Sequence, residues 1–396
     1  MKSKIRLGWF CLVINVAPVF AGSVIVTTPP LRGLGSPLRE LTNKQLSAFV
    51  DGRASFSSTE TVADGIGPIF NDTSCVACHD AGGVGGASAR TVTRFGRNVN
   101  GVFDPMDAQG GSLLQERAID PAVREVVPKE ATVIARRLTT PLYGAGLIEA
   151  INPLEILLGT VRPKPAGIKG KVALVKDVVS GNFMLGRFGW KAQVATLLAF
   201  AGDAYVNEMG ITNRYFPTEN APNGNKALLA RFDKVADVED KINPVDGKAD
   251  IDRLADFMRL LAPPEQLELR SDAAEAGQRL FSKLECSACH VASMTTIPNK
   301  IEALSEKKVM LYSDLLLHDM GALGDGIEQG SAGVRDMRTA PLWGLRSRPA
   351  YLHDGRAATV EAAILAHDGE AANARKLYAA ATAAERSALL EFLKTL

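Results

Sequence analysis

Histidine is scarce in this sequence, and so is cysteine. The 396 residues hold five of each. No histidine stands between His79 and His290, which excludes a centre built from several imidazoles anywhere in that stretch. Positive charge is also in short supply. The formal charge of +1 becomes −2 once Lys2, Lys4 and Arg6 are set aside, so there is no basic footprint for nucleic acid. Beyond the N-terminal stretch no run of 18 apolar residues occurs, and the remaining chain is expected to lack a membrane span. With 46% hydrophobic and 22% charged residues, disorder is excluded and there is apolar material for two modest domains.

Residues 1–21 read as a secretory signal peptide: a positive start, an apolar run from Leu7 to Ala21, and small residues before Gly22. The run is interrupted by Asn15 and Pro18 and is short for a span. An exported, periplasmic protein beginning near Gly22 is expected. Export would favour disulfides, and the four cysteines after Gly22 are even in number. Their spacing points elsewhere. They fall as Cys75-Val-Ala-Cys78-His79 and Cys286-Ser-Ala-Cys289-His290, each a haem-attachment pattern. Two thiols three residues apart can form thioethers with the two vinyl groups of one haem, and the adjacent imidazole then reaches the iron. Two disulfides, or one zinc bound by four thiolates, would leave the histidine after each pair unexplained. Two covalent c-type haems are the reading, with Cys75, Cys78, Cys286 and Cys289 as attachment points and His79 and His290 as proximal ligands.

The chain repeats itself around these motifs, which separates two modules from one. Phe70 and Phe281 each precede a motif by five residues, and Thr139-Thr-Pro-Leu-Tyr-Gly144 is echoed by Thr339-Ala-Pro-Leu-Trp-Gly344. Each half ends in a helical pattern, Ile251 to Leu261 and Leu389 to Leu396, and Pro263-Pro264 marks the boundary. The expected fold is mainly α: two cytochrome c-like domains, 22–264 and 265–396, each with one covalent haem. Further helices are expected over about 193–207 and 359–366, strands are expected to be sparse, and 216–250 reads as a surface loop.

Function turns on the sixth position of each iron, because two strong protein ligands suit electron transfer whereas an open position can meet an oxidant. His367, after the helix starting near Thr359, is the expected distal ligand of the second haem. His353, beside Asp354, suits an imidazole that orients a propionate or ligand. His318 is either structural or reaches toward the first haem. For the first haem the soft candidates are Met106, Met184, Met209 and Met258, and Met209, at the end of a helix, is the one placed to serve; an open iron is the alternative. Glu208 and Asp319 are the acids within reach of general acid work.

Several segments resemble the di-haem oxidoreductase family of exported bacterial proteins, more distantly the di-haem cytochrome c peroxidases and methylamine dehydrogenase maturation enzymes. They are Gly67-Pro-Ile-Phe-Asn71, Gly186-Arg-Phe-Gly-Trp-Lys-Ala-Gln193, Asn207-Glu-Met-Gly-Ile-Thr212, the run Tyr312 to Gly321, and Tyr351-Leu-His-Asp-Gly-Arg356. The resemblance implies that the C-terminal haem takes its distal ligand at the place of His367, and that Trp190 or Trp343 helps electrons cross between haems. It departs at the first haem, where those peroxidases have a distal histidine and this chain has none. Arg187, Arg338 and Arg356 are expected to pair with propionates. A small electron-donor protein or quinol-linked cytochrome and a small-molecule oxidant are the implied partners, and a calcium ion between domains is allowed for, although no clear carboxylate loop marks it. The expected activity is peroxidase-like, with electrons passing from the C-terminal haem to a reactive N-terminal one. A di-haem electron carrier is the alternative from another class. Thiol oxidation has little support, since no cysteine would remain free.

Overall fold

The computed structural model describes residues 34–396, so the expected signal peptide lies outside the described residues. Ten α-helices occur among them: α1 Asn43–Ser57, α2 Ala145–Ala150, α3 Pro153–Gly159, α4 Leu197–Met209, α5 Lys226–Phe232, α6 Asp250–Leu260, α7 Asp272–Lys283, α8 Val360–Ala366, α9 Ala372–Ala380 and α10 Ala383–Leu393. None is long and apolar enough to cross a membrane.

The internal repeat has a physical form. Helix α1 packs on α6 and α7 packs on α10. Each crossing needs a glycine for close approach: a Cβ on Gly52 would lie 2.3 Å from the Arg253 carbonyl, and one on Gly277 2.0 Å from that of Ala388. Local sequence starts these helices cleanly. Thr42 with Gln45, and Thr382 with Glu385, form reciprocal capping boxes on α1 and α10, and the Ser271 hydroxyl accepts from Ala274 N–H at the start of α7. The echoed Thr-x-Pro-Leu segments behave alike too. Gly144 N–H donates to the Leu261 carbonyl and Gly344 N–H to that of Leu396, so each segment is pinned to the end of its own half's last helix.

The expected helices over 193–207, 251–261, 359–366 and 389–396 are found as α4, α6, α8 and α10. The mainly α expectation is not clearly supported: of the described residues 35% are helical, 3₁₀ turns included, and 15% lie in strands or isolated bridges. The longest strand, Thr91–Val99, pairs antiparallel with Val133–Leu138, Leu113–Leu114 and Val102–Asp104. Thr91-Val92-Thr93 and Phe95 are β-branched or aromatic and suit a pleated, half-buried surface. Their two-residue period is diluted by Arg94, Gly96 and Arg97, which hides it from a search for apolar alternation. Residues 216–250, expected to be a surface loop with at most short helices, hold the two turns of α5 and a short 3₁₀ turn, Pro222–Gly224.

The larger apolar core draws on α1, α2, α4 and α6 and also takes Leu304, Leu311, Leu315, Leu316 and Trp343 from beyond Pro263-Pro264. A second core joins α7 and α10 around Phe281, Tyr312, Leu389 and Phe392.

Candidate functional site

Each Cys-x-x-Cys-His segment forms one wall of its own cavity. The first cavity, about 1210 Å³ out to its mouth, is lined by Cys75, Cys78 and His79; the second, about 1350 Å³, by Cys286, Cys289 and His290. Because the two cysteine pairs sit in different cavities, a shared four-thiolate zinc site is ruled out, and all four thiols are unpaired. Burial pushes the Cys75 and Cys286 thiols up to about 12, so neither is a thiolate poised for disulfide exchange at neutral pH.

The histidines are prepared as ligands. The Nδ1 of His79 lies 3.2 Å from the Gly86 carbonyl, that of His290 3.0 Å from the Tyr312 carbonyl, and that of His367 2.8 Å from the Ala363 carbonyl one helical turn back. Each carbonyl can only accept, so each ring carries its proton on Nδ1 and leaves Nε2 free for a metal. Burial holds His79 and His290 down at about 4 and lowers His367, which keeps all three neutral. The turn around Gly82 to Gly86 wraps the first of them, with Gly85 and Gly86 N–H groups donating back to the His79 carbonyl. An aromatic ring packs on each proximal histidine, Phe281 on His290 and Phe56 on His79. Phe56 comes from the end of α1, so the spacing match of Phe70 with Phe281 does not identify the equivalent ring; Phe70 is a core residue in a short strand.

The cavities differ in what faces the motif. His367, at the end of α8, lines the second cavity together with His290 and His353. The first holds no histidine besides His79. Instead α4 presents one face to it, Phe200, Ala201, Ala204, Tyr205, Glu208 and Met209, spaced one and two turns apart. Met258 of α6 lines it as well. Asp203 and Glu208 are both raised by burial; the Asn71 amide donates to Glu208 at 2.6 Å.

Guanidinium groups enter both cavities with nitrogens still to be satisfied. Val92, Arg94 and Arg137 share one face of the sheet, Val92 standing opposite Arg137 in the register, and line the first cavity. Arg338 and Arg348 line the second. The Nε of Arg94, one terminal nitrogen of Arg137 and the Nε of Arg348 are buried without a hydrogen-bond partner. Buried guanidinium nitrogens left without a hydrogen-bond partner are costly, and the propionates of a haem would suit them. Thiol pairs, free Nε2 atoms and unpartnered guanidinium nitrogens therefore fit two haems.

Two of the expected propionate partners are corrected. Arg187 gives one terminal nitrogen to the carbonyls of Ile148, Glu149 and Ile151 and lines neither cavity. Arg356 pairs with Asp354 at 2.5 Å, about half exposed, and likewise lines neither. Arg94, Arg137 and Arg348 were missed; the alternation of Val92 and Arg94 was the available clue.

His318 is also resolved. It lies on the wall of the second cavity and does not reach the first. Its Nδ1 is 2.7 Å from Glu370, its Nε2 3.0 Å from Asp314, and the Cys289 sulfur is 3.7 Å away. Burial alone would lower its pKa, but Asp314, Cys289 and Glu370 outweigh this and raise it to about 11. With a carboxylate facing each ring nitrogen, the charged form of its imidazole is favoured. Asp319 pairs with Arg335 and lines neither cavity.

Trp190 lines both cavities. Its Nε1–H donates to the Leu138 carbonyl at 2.8 Å, the Leu138 N–H donates to the His353 carbonyl at 2.6 Å, and the Trp190 and His353 rings meet edge to face at 6.3 Å. Leu138 belongs to the first cavity and His353 to the second, so this short chain of contacts links the two walls.

The family described as "Di-haem oxidoreductase, putative peroxidase" matches residues 99–396. The chain belongs to the di-haem oxidoreductase family. The matched part of this di-haem oxidoreductase begins after the first Cys-x-x-Cys-His segment. No curated protein matches it. Among solved structures it is similar to hydrazine synthase of Kuenenia stuttgartiensis (14% identity, 98% of this chain and 100% of that one, TM-score 0.40). It is also similar to a MauG-like protein associated with microbial copper homeostasis (17%, 92% and 93%, 0.42) and the diheme peroxidase BthA of Burkholderia thailandensis (12%, 93% and 93%, 0.39).

Proposed function

We propose that this di-haem oxidoreductase is an exported c-type enzyme of peroxidase type. The observation that carries the reading is the asymmetry of the two cavities. The C-terminal one offers two neutral imidazoles with free Nε2 atoms, His290 and His367; the N-terminal one offers His79 alone, opposed by Met209 and by the carboxyl groups of Asp203 and Glu208. When bound, the two haems would supply one-electron chemistry; we assign the meeting with a small oxidant to the N-terminal cavity and the entry of electrons from a small donor protein to the C-terminal one.

The residues' own parts follow from their positions. Cys75 with Cys78, and Cys286 with Cys289, would anchor the vinyl groups, which fixes each macrocycle against its histidine. Arg94 and Arg137, and Arg338 and Arg348, would hold the propionates. Glu208, kept protonated more readily than an exposed acid by burial, can deliver a proton within the N-terminal cavity, while Asn71 fixes its carboxyl in place. Trp190 is the aromatic group common to both walls and is the proposed electron bridge.

A second reading, a di-haem electron carrier, is favoured by one observation: Met209 is buried on the wall of the N-terminal cavity, where its thioether can close the sixth position. Mixing the di-haem protein with hydrogen peroxide and a reduced small c-type cytochrome separates the two. Oxidation of the cytochrome in proportion to enzyme supports the peroxidase. No oxidation by the wild type, with oxidation appearing in Met209→Ala, supports the carrier.

A further inference from the structure

Away from both cavities, three carboxylates converge on the loop that follows α4. One oxygen each from Glu219, Asp237 and Glu239 lies within 4.8 Å of the others. Acidic clusters on a surface are common and mean little by themselves. This one contains a group that needs explaining. Glu219 is only 6% exposed, and neither of its carboxyl oxygens has a hydrogen-bond partner. Its Oε1 is pressed so close to the backbone that a Cβ on Gly67 would lie 1.9 Å from it. No lysine or arginine among the described residues forms an ion pair with any of the three. Asp233 adds a further negative charge nearby. A buried carboxyl facing only other carboxyls is an expensive arrangement unless something positive sits among them.

We propose that Glu219, Asp237 and Glu239 form a binding site for a calcium ion. The donors are all hard oxygens, as calcium prefers, and calcium–oxygen distances of about 2.4 Å let two ligands stand up to roughly 4.8 Å apart across one ion. Magnesium, at about 2.1 Å and with strict octahedral demands, would require the carboxylates to close up. Glu239 is held in place by the backbone N–H and hydroxyl of Thr212. Asp237 is exposed, which gives an ion its way in from solvent. Every donor comes from residues 219–239, so this is not a position between the N- and C-terminal halves of the chain. The ion would tie this loop to Gly67, on the approach to Cys75, and to the end of α4, where Gly67 N–H donates to the Met209 carbonyl.

The test uses the holoprotein after chelator treatment, titrated calorimetrically with calcium chloride and then melted with and without it. Wild type is expected to bind calcium more tightly than magnesium, and to gain roughly 3–4 °C in Tm at a hundredfold excess over Kd. In Glu219→Gln the stoichiometry should fall by one ion and the gain in Tm vanish, while the ion-free variant melts no lower than ion-free wild type because a buried carboxyl has been removed. Asp237→Asn, at an exposed position, should weaken binding without altering the ion-free Tm. The proposal is overturned if wild type takes up no calcium at millimolar concentration, or if Glu219→Gln binds the same number of ions with the same gain in Tm.

Discussion

Replacing His318 by glutamine tests whether the C-terminal cavity is braced by a buried charge network. His318 and Asp314 are 2% and 1% exposed, and the imidazolium bridges Asp314 and Glu370. Removing one member of a buried pair costs about 3–5 kcal/mol, since the partner charge is stranded. Here the lower end applies, about 3 kcal/mol, because Asp314 keeps Lys164 at 3.2 Å and Glu370 keeps the N–H groups of Lys169 and Gly170. At about 2 cal/mol/K of unfolding entropy per residue, this is a fall in Tm of roughly 4 °C. The pH dependence gives a sharper signature. The His318 pKa is raised from 6.5 to about 11, so its share of stability is fully present below pH 6.5 and is lost as pH rises through 11. Glu370 is lowered from 4.5 to about 2, by His318 and backbone donors that outweigh its burial, so its share is present above 4.5 and lost as pH falls through 2. The gap in Tm between wild type and His318→Gln, followed by calorimetry, should therefore be widest between about pH 4.5 and 6.5 and shrink in both directions. A fall of less than 1 °C at pH 6, or a gap that does not change by pH 9.5, would refute the network as described.

Asp325 receives Lys191 and Arg137, both at 2.8 Å and nearly wholly buried, so Asp325→Asn should cost about 3–5 kcal/mol in denaturant unfolding. Gly277→Ala places a methyl group against the Ala388 carbonyl and should cost about 1–3 kcal/mol through loss of the α7 and α10 packing, seen as a lower denaturation midpoint. Trp190→Phe loses the bond to the Leu138 carbonyl, worth about 1 kcal/mol, and should slow electron transfer between the haems while leaving their separate spectra in place; unchanged transfer would remove Trp190 as the bridge.

Much of the candidate site was legible because a Cys-x-x-Cys-His segment is a fixed local spacing. Cys75 to His79 and Cys286 to His290 are readable without any knowledge of the fold, and His367 stood out because the chain has so few histidines. The helices α4, α6 and α10 announced themselves by apolar period. What could not be read was set by contacts distant in sequence. Arg94 and Arg137 reach the first cavity because two strands pair, and nothing local distinguishes them from Arg187 and Arg356, which end up on backbone carbonyls and on a surface aspartate. Phe56 replaces Phe70 as the ring on His79 because it stands 19 residues before Cys75, across a segment the second half lacks. His318 is fixed by Glu370, 52 residues on. Glu219 looks like any loop glutamate until the chain presses it against Gly67.

The proposal rests on two haems in unlike settings, one held by His290 and His367 and one facing no second imidazole. Low-temperature electron paramagnetic resonance of the ferric protein, alone and after half-reduction, tests it most directly when set beside His367→Ala. A low-spin bis-imidazole signal from the C-terminal haem is expected to be lost in His367→Ala, and a distinct second signal to stay unchanged by the substitution. Identical spectra for wild type and His367→Ala, or two bis-imidazole signals in wild type, would contradict it.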